Sequence, residues 1–260
     1  MMKEFRVTLV QADLRWEDPE ANKRHIERLT DGVKDRTDLI LLPEMFTTGF
    51  TMATESFAEA PEGPTSAYMR ALALRHDAAV AGSIIIGEEG RYYNAFLFVP
   101  PHGGIVRYDK RHLFRMGEEH RHYTAGRRQV TFRWRGVRIR PFVCYDLRFP
   151  VWIRSRADAD LLLFVANWPA PRRHVWKTLL TARALENQAY VAGVNRVGSD
   201  GRHITYNGDS QVISPRGEVL ASLPEKEEGT VTASLDMEAL EQFRKKFPVH
   251  LDADDFEIRL

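Results

Sequence analysis

The chain has 260 residues, 43% of them hydrophobic and 28% charged, a balance that suits an ordinary soluble globular protein with enough length for a sizeable core. Lys and Arg number 37 against 36 Asp and Glu, for a net charge of +1, so no global electrostatic pull toward nucleic acid or a lipid surface is expected. A single cysteine excludes an internal disulfide and fits a reducing, cytoplasmic compartment. No apolar run approaches the length of a membrane span, and the N-terminus reaches Gln11 and Asp13 too soon for a signal peptide.

Residues 5–11 read as a buried strand. Asp18-Pro19 caps and opens a helix with Ile26, Leu29 and Val33 on one face. Residues 38–42 form a second apolar strand, ended by Pro43 and followed at once by Glu44; together these make a βαβ-like opening. Pro64 opens a helix to about His76. Residues 79–87 and 92–99 pair as a hairpin, and residues 105–108 resume a strand that delivers Lys110. Residues 111–128 are polar and lack periodicity, and long irregular segments inside compact domains are often functional. Residues 129–134 and 137–143 make a hairpin across Arg135-Gly136 that ends at Cys144.

Beyond the cysteine, residues 150–156 form a short helix and residues 160–166 a strand of the buried kind. A helix over residues 172–186 turns Trp176, Leu179, Leu180 and Ala184 inward. Residues 190–195 are a strand, residues 207–214 and 218–223 a hairpin over Pro215-Arg216-Gly217, and residues 229–235 the last strand. Asp236 caps a final helix to about Lys246, and a tail of residues 247–260 follows. No linker or internal repeat divides the chain, so residues 1–260 read as one domain. Two mixed sheets packed face to face with helices outside would bury every apolar face.

Glu44, Lys110 and Cys144 each stand where a strand ends, and strand ends at one sheet edge converge where open sheets place ligands. Each is unremarkable alone. A free cysteine is most often a core residue, and charged side chains are mostly exposed. Together they form a coherent chemical set. A thiol of unperturbed pKa about 8.5 needs deprotonation. A nearby ammonium and helix N-terminal N–H groups stabilise a thiolate. A partly desolvated glutamate can take the thiol proton and later give it to a leaving amine. The ammonium and the N–H of Tyr145 can hold an oxyanion. Phe46, Tyr145 and Trp168 each follow a strand end and could wall a small pocket. His120-Arg121-His122 lacks cysteine or acidic partners at ligand spacing and reads as a polar loop. The arginines over residues 127–140 alternate along strands and read as a solvated face.

Leu41-Leu42-Pro43-Glu44-Met45-Phe46, Tyr108-Asp109-Lys110-Arg111-His112-Leu113-Phe114 and Cys144-Tyr145-Asp146-Leu147-Arg148-Phe149-Pro150 resemble, in order and spacing, the three signature blocks of the nitrilase superfamily, the carbon–nitrogen hydrolases. Glu119, seven residues before Gly126, is similar to that family's second glutamate. Residues 182–188 and 208–217 resemble later family segments, so the resemblance covers residues 5–235. It implies an α/β fold, a four-layer αββα sandwich. It also implies a Glu44–Lys110–Cys144 triad assisted by Glu119, no cofactor and no metal, and a homodimer. The cysteine and lysine blocks look most like the omega-amidase branch, whose members cleave the side-chain amide of 2-oxoglutaramate or 2-oxosuccinamate. Residues 166–172 resemble the bacterial members of that branch. Carbamoyl-amino-acid hydrolases and deaminated-glutathione amidases are the neighbouring alternatives, and a non-catalytic family member is a third.

A 2-oxo-acid amide brings a carboxylate that a dry pocket accepts only beside a cation. Arg148, Arg172 and Arg173 are the candidates. Arg148 lies in the shared cysteine block and reads as a structural ion-pair residue. Arg172, on a loop stiffened by Pro169 and Pro171, reads as the carboxylate binder, with Arg173 as the alternative. The tail carries Phe247, Val249, Leu251, Phe256, Ile258 and Leu260 and suits a second subunit, or folding back onto its own.

Overall fold

A computed structural model describes residues 4–33 and 37–260; residues 1–3, part of the N-terminal segment weighed above as a leader, lie outside it. The elements in chain order are β1 (Glu4–Gln11), α1 (Pro19–Asp31), β2 (Leu39–Leu41), α2 (Thr54–Phe57), α3 (Pro64–His76), β3 (Ala79–Glu88), β4 (Arg91–Val99), β5 (Val106–Asp109), β6 (Phe132–Trp134), β7 (Val137–Val143), α4 (Pro150–Ile153), β8 (Leu161–Ala166), α5 (Arg173–Asn187), β9 (Tyr190–Asn195), β10 (Val197–Ser199), β11 (Thr205–Asn207), β12 (Gln211–Ile213), β13 (Val219–Ser222), β14 (Gly229–Asp236) and α6 (Met237–Lys246).

The strands form two six-stranded sheets, ordered β14-β1-β2-β3-β4-β5 and β13-β12-β9-β8-β7-β6, and a separate ribbon of β10 and β11. In the first sheet β1, β2 and β3 run parallel, and β14, β4 and β5 add antiparallel. In the second, β7, β8 and β9 run parallel, with antiparallel β6 on one side and β12 and β13 on the other. Side chains alternate along each strand, and that alternation stacks the layers. Phe5, Val7 and Leu9 of β1, Leu39 and Leu41 of β2, and Phe96 and Phe98 of β4 share one core with Ile139, Leu161, Leu163 and Val165 of the second sheet. Their neighbours Val10, Ile40, Leu42, Val80 and Leu97 face the other way, under Ile26 of α1 and Met69 and Leu72 of α3. On the far face of the second sheet Gly193 admits α5, since a Cβ there would lie 2.6 Å from a Leu180 methyl carbon. The result is the four-layer αββα sandwich that the resemblance implied.

Caps fix where the helices begin. Asp18 accepts from Ala21 N–H at 3.0 Å ahead of Pro19, and Asp236 accepts from Ala239 N–H at 2.9 Å. Boundaries differ from expectation in four places. Val33 lies beyond the end of α1, which stops at Asp31. β6 begins at Phe132, and α4 stops at Ile153 because Arg154 turns extended (ψ 125°). The strand expected over residues 207–214 is two strands. Gly208 (φ 76°) and Asp209 (φ 58°) turn the chain between β11 and β12, and the Gly208 backbone packs so closely on the Gln11 side chain that a Cβ would meet it at 2.2 Å. The tail folds back in part: Ile258 packs on the main core, and Arg156 pairs with Asp255. Phe247, Leu251, Phe256 and Leu260 remain exposed. Among the described residues no helix is long and apolar enough to cross a membrane.

Candidate active site

Glu44 follows β2, Lys110 follows β5 and Cys144 follows β7, and these three strand ends meet at one cleft. Glu119 arrives from the irregular segment between β5 and β6, in a short 3₁₀ turn. Glu44 and Glu119 are fully buried, Lys110 is 1% exposed and Cys144 9%. Lys110 Nζ lies 2.9 Å from Glu44 Oε1 and 3.0 Å from Glu119 Oε1. Glu44 Oε2 accepts from the Asn167 N–H at 2.8 Å, and Glu119 Oε2 from the Phe114 N–H at 2.6 Å. Burial opposes the Lys110 charge, but Glu119 and Glu44 outweigh it and hold the ammonium's pKa above its ordinary value. Burial pushes Glu119 up while Lys110 draws it down. Every hydrogen-bond partner of both carboxylates is a donor, so the geometry holds both as acceptors.

Burial, then the negative charge of Glu44, pushes the Cys144 thiol well above the ordinary thiol range, against the pull of Lys110. Desolvation and the nearby carboxylates outweigh the ammonium expected to stabilise a thiolate, in keeping with the reading that the thiol needs deprotonation by Glu44. The resting thiol is neutral, so its proton must leave as it attacks. Its Sγ lies 3.9 Å from the Asn167 carbonyl.

The elbow carrying Cys144 is strained and externally held. Cys144 has φ 46°, a conformation that needs support from its surroundings. Asp146, fully buried, supplies it. Its Oδ2 accepts from the Val143 N–H at 3.0 Å and the Tyr108 hydroxyl at 2.7 Å, and its Oδ1 from the His112 N–H at 2.9 Å and Nδ1 at 2.8 Å. Residues 144–148 form a 3₁₀ turn. The Tyr145 N–H stands at its N-terminal end, where N–H groups have no partner inside the turn.

These groups floor a cleft of about 600 Å³ walled by Phe50, Phe114, Tyr145 and Trp168, with Arg148 and Arg172 among its lining residues. Of the residues singled out from sequence, Glu44, Lys110, Cys144, Tyr145, Trp168 and Arg172 meet there, and Glu119 stands directly behind Lys110. Phe46 does not. It is fully buried in the outer core of the first sheet, against Leu42. Met45 at φ 43° reverses the chain after Glu44 and returns Phe46 to the sheet, where its N–H donates to the Ser83 carbonyl at 3.2 Å. Phe50 takes the wall position, its ring centroid 5.2 Å from Lys110 Nζ.

The arginines separate cleanly. Arg173 is held by Asp209 at 2.6 Å and also contacts Glu225. Arg148, expected to be an ion-pair residue, lies instead over the Trp168 ring at 5.4 Å, and Arg172 over Phe114 at 5.4 Å. Both line the cleft and are held by aromatic faces. Sequence reading missed Asn94, Asn167, Asp146 and the ribbon. Asn167 ends the apolar run of β8 as Glu44 ends that of β2, so the same strand-end rule could have found it. The ribbon places Asp200 and Tyr206 on the cleft; Asp200 accepts from the N–H groups of Arg202 (2.9 Å) and Ile204 (3.0 Å) and from the Tyr206 hydroxyl (2.8 Å). Among the described residues no group of three or more His, Cys, Asp or Glu is placed to hold a metal ion.

A sandwich of this topology with such a floor is that of a carbon-nitrogen hydrolase. The family's sequence profile matches residues 6–245, and the chain belongs to that family. It is 51% identical over 257 residues to the omega-amidase YafV of Escherichia coli K12, covering 99% of this chain and 100% of that one. It is 34% identical over 253 residues to the 2-oxoglutaramate amidase of Bacillus subtilis, with 95% and 97% coverage. Among solved structures, XC1258 of Xanthomonas campestris, a CN-hydrolase superfamily protein with an arsenic adduct in its active site, matches with a TM-score of 0.96 at 44% identity over 99% and 100% of the two chains.

Proposed function

We propose that the chain is an omega-amidase that hydrolyses the terminal amide of 2-oxoglutaramate and similar small 2-oxo acids, giving the 2-oxo acid and ammonia. The observation that carries this reading is the buried set of thiol, ammonium and two carboxylates at the floor of a cleft lined by two arginines that rest on aromatic rings. Glu44 takes the proton of Cys144 as sulfur attacks the amide carbon. The carbonyl electrons move onto oxygen, where Lys110 Nζ and the Tyr145 N–H hold them. Collapse of this intermediate breaks the C–N bond as Glu44 protonates the departing ammonia, leaving a thioester on Cys144. Glu44 then draws a proton from water, water adds to the thioester, and the C–S bond breaks with return of the proton to sulfur. Glu119 orients Lys110 and does not exchange protons with the thiol. Tyr145 and Trp168 wall the acyl chain, and Arg172 binds the distal carboxylate.

The same reading extends to assembly and compartment. The exposed Phe247, Leu251, Phe256 and Leu260 suit burial in a homodimer, and a lone cysteine suits the cytoplasm. Ammonia release from 2-oxoglutaramate, compared with carbamoyl amino acids, tests the activity. Mass spectrometry of quenched turnover should show an acyl adduct on Cys144. Normal turnover by Cys144→Ala, or preference for the carbamoyl compounds, would overturn the proposal. Sedimentation at monomer mass across micromolar concentrations would overturn the dimer.

A further inference from the structure

Asn94 is a polar residue inside an apolar strand. It sits in β4 opposite Ile85 of β3 and is fully buried. Its Nδ2 lies 2.8 Å from Glu44 Oε1 and 3.1 Å from Glu119 Oε1. Lys110 Nζ touches the same two oxygens, at 2.9 and 3.0 Å. The four atoms close a ring in which two acceptor oxygens alternate with two donor nitrogens. The backbone adds a further tie, since the Asn94 carbonyl accepts from the Lys110 N–H at 2.9 Å. The orientation of the amide is chemically fixed, because a carbonyl oxygen facing two carboxylates would leave three acceptors against one another. Among the described residues the buried Asn94 Oδ1 has no protein hydrogen-bond partner, so the amide is oriented by its donors.

We propose that Asn94 is a positioning residue of the catalytic centre: it gives one amide hydrogen to each buried carboxylate and so holds Glu44 and Glu119 side by side as acceptors around the Lys110 ammonium. This rests on the reading of Glu44 as the proton carrier. Like charges sharing a dry site drive one member to take up a proton unless donors offset the repulsion. The Asn167 N–H serves Glu44 and the Phe114 N–H serves Glu119 singly, whereas Lys110 and Asn94 each donate to both members of the pair. The charged and titratable groups facing the ring are Lys110 from the end of β5, Cys144 from the end of β7 and Tyr123 from the irregular segment. Of these only Lys110 is cationic. Removing the Asn94 donors therefore raises the proton affinity of the acid pair, and the acidic limb of the pH–rate profile moves toward neutrality.

The test compares kcat/KM for amide hydrolysis against pH in wild type, Asn94→Leu, Asn94→Ser and Glu44→Gln, with thermal melting of each protein. Leu matches Asn in size and has no donor, whereas Ser keeps one donor and removes little volume. The acidic limb of Asn94→Leu should rise by about one pH unit or more, the equivalent of one charged hydrogen bond, and that of Asn94→Ser by less. If Asn94→Leu does not fold, Asn94→Ser carries the comparison. A reduced rate or melting temperature with an unmoved acidic limb would overturn the proposal and leave Asn94 a packing residue. Normal turnover by Glu44→Gln would overturn the reading of Glu44 itself, an outcome distinguishable from an unmoved limb in an enzyme that still requires Glu44.

Discussion

Asp146 offers the most direct test of how the fold aims the thiol. Its carboxylate is fully buried and accepts from two backbone N–H groups, those of Val143 and His112, and from the Tyr108 hydroxyl and His112 Nδ1. Asp146→Asn keeps the shape and replaces one oxygen by NH₂. The Tyr108 hydroxyl can rotate to accept from it, and the His112 ring can change tautomer, but a backbone N–H can do neither. Whichever way the amide turns, one buried N–H, that of Val143 or of His112, faces a donor and loses its partner. An unsatisfied buried group costs about 1–3 kcal/mol, and the remaining bonds lose the strengthening of a charged acceptor at up to about 1 kcal/mol each. The sum is about 1–6 kcal/mol, against the roughly 5–15 kcal/mol that stabilises a domain. The same bond to Val143 braces the positive-φ turn at Cys144, and a misplacement of about 1 Å can cost about 10²-fold in rate. Urea unfolding followed by tryptophan fluorescence and steady-state ammonia release read the two effects separately. A folded Asp146→Asn protein within about 0.5 kcal/mol of wild type, turning over normally, would refute the claim that this carboxylate braces the elbow.

Three further outcomes follow from the same geometry. Glu119→Gln should lower kcat at least about tenfold with little change in KM, because it disturbs Lys110 where the oxyanion forms; an unimpaired kcat removes Glu119 from that role. Arg172→Ala should lower kcat/KM for 2-oxoglutaramate by about 10–100-fold, the worth of a charged hydrogen bond, and spare an uncharged short amide; equal losses on both substrates mean that Arg172 supports only its loop. Because the folded thiol titrates above its ordinary value, it is protonated at neutral pH, and iodoacetamide labelling of Cys144 should be slow there and still rising beyond about pH 9; a plateau near neutral pH would show a thiolate formed in advance.

Much of the sandwich was legible because short apolar runs such as residues 39–41 and 161–166, buried on both faces, are bounded by turn and polar residues. Phe5, Val7 and Leu9 against Thr8 and Val10 announce two faces, and Pro43, Lys110 and Cys144 mark where strands stop. Strand ends converge, so Glu44, Lys110 and Cys144 could be grouped before any coordinates. Glu119 could not be reached that way. It lies in a segment without periodicity, and only the resemblance to the family singled it out. Phe46 was misplaced because one residue in the left-handed region, Met45, reverses the direction of the next side chain, and a non-glycine residue gives no signal of that conformation. Asn94 was hidden by its strand, where one polar residue in an apolar run reads as noise until its partners are seen. The upward shift of the Cys144 thiol depended on its burial first and on the carboxylates beside it second, three-dimensional properties that spacing does not carry.

The cleft carries buried carboxylates at its floor and arginines among its lining residues. The floor sets two buried carboxylates against one ammonium, an arrangement that suits a neutral amide and repels an anion. A substrate with a carboxylate at its far end can enter such a site only if its charge stays away from the floor and meets a cation of its own. Arg172 and Arg148 supply that end, resting on Phe114 and Trp168; Arg173, one residue further on, is already neutralised by Asp209 and Glu225. If Glu44 carries the proton and Arg172 reads the distal carboxylate, as proposed, one charge distribution accounts for both restraint and specificity: burial and the floor's negative charge hold the resting thiol above its ordinary range, and the lining arginines would leave the amide end of the substrate to reach the sulfur.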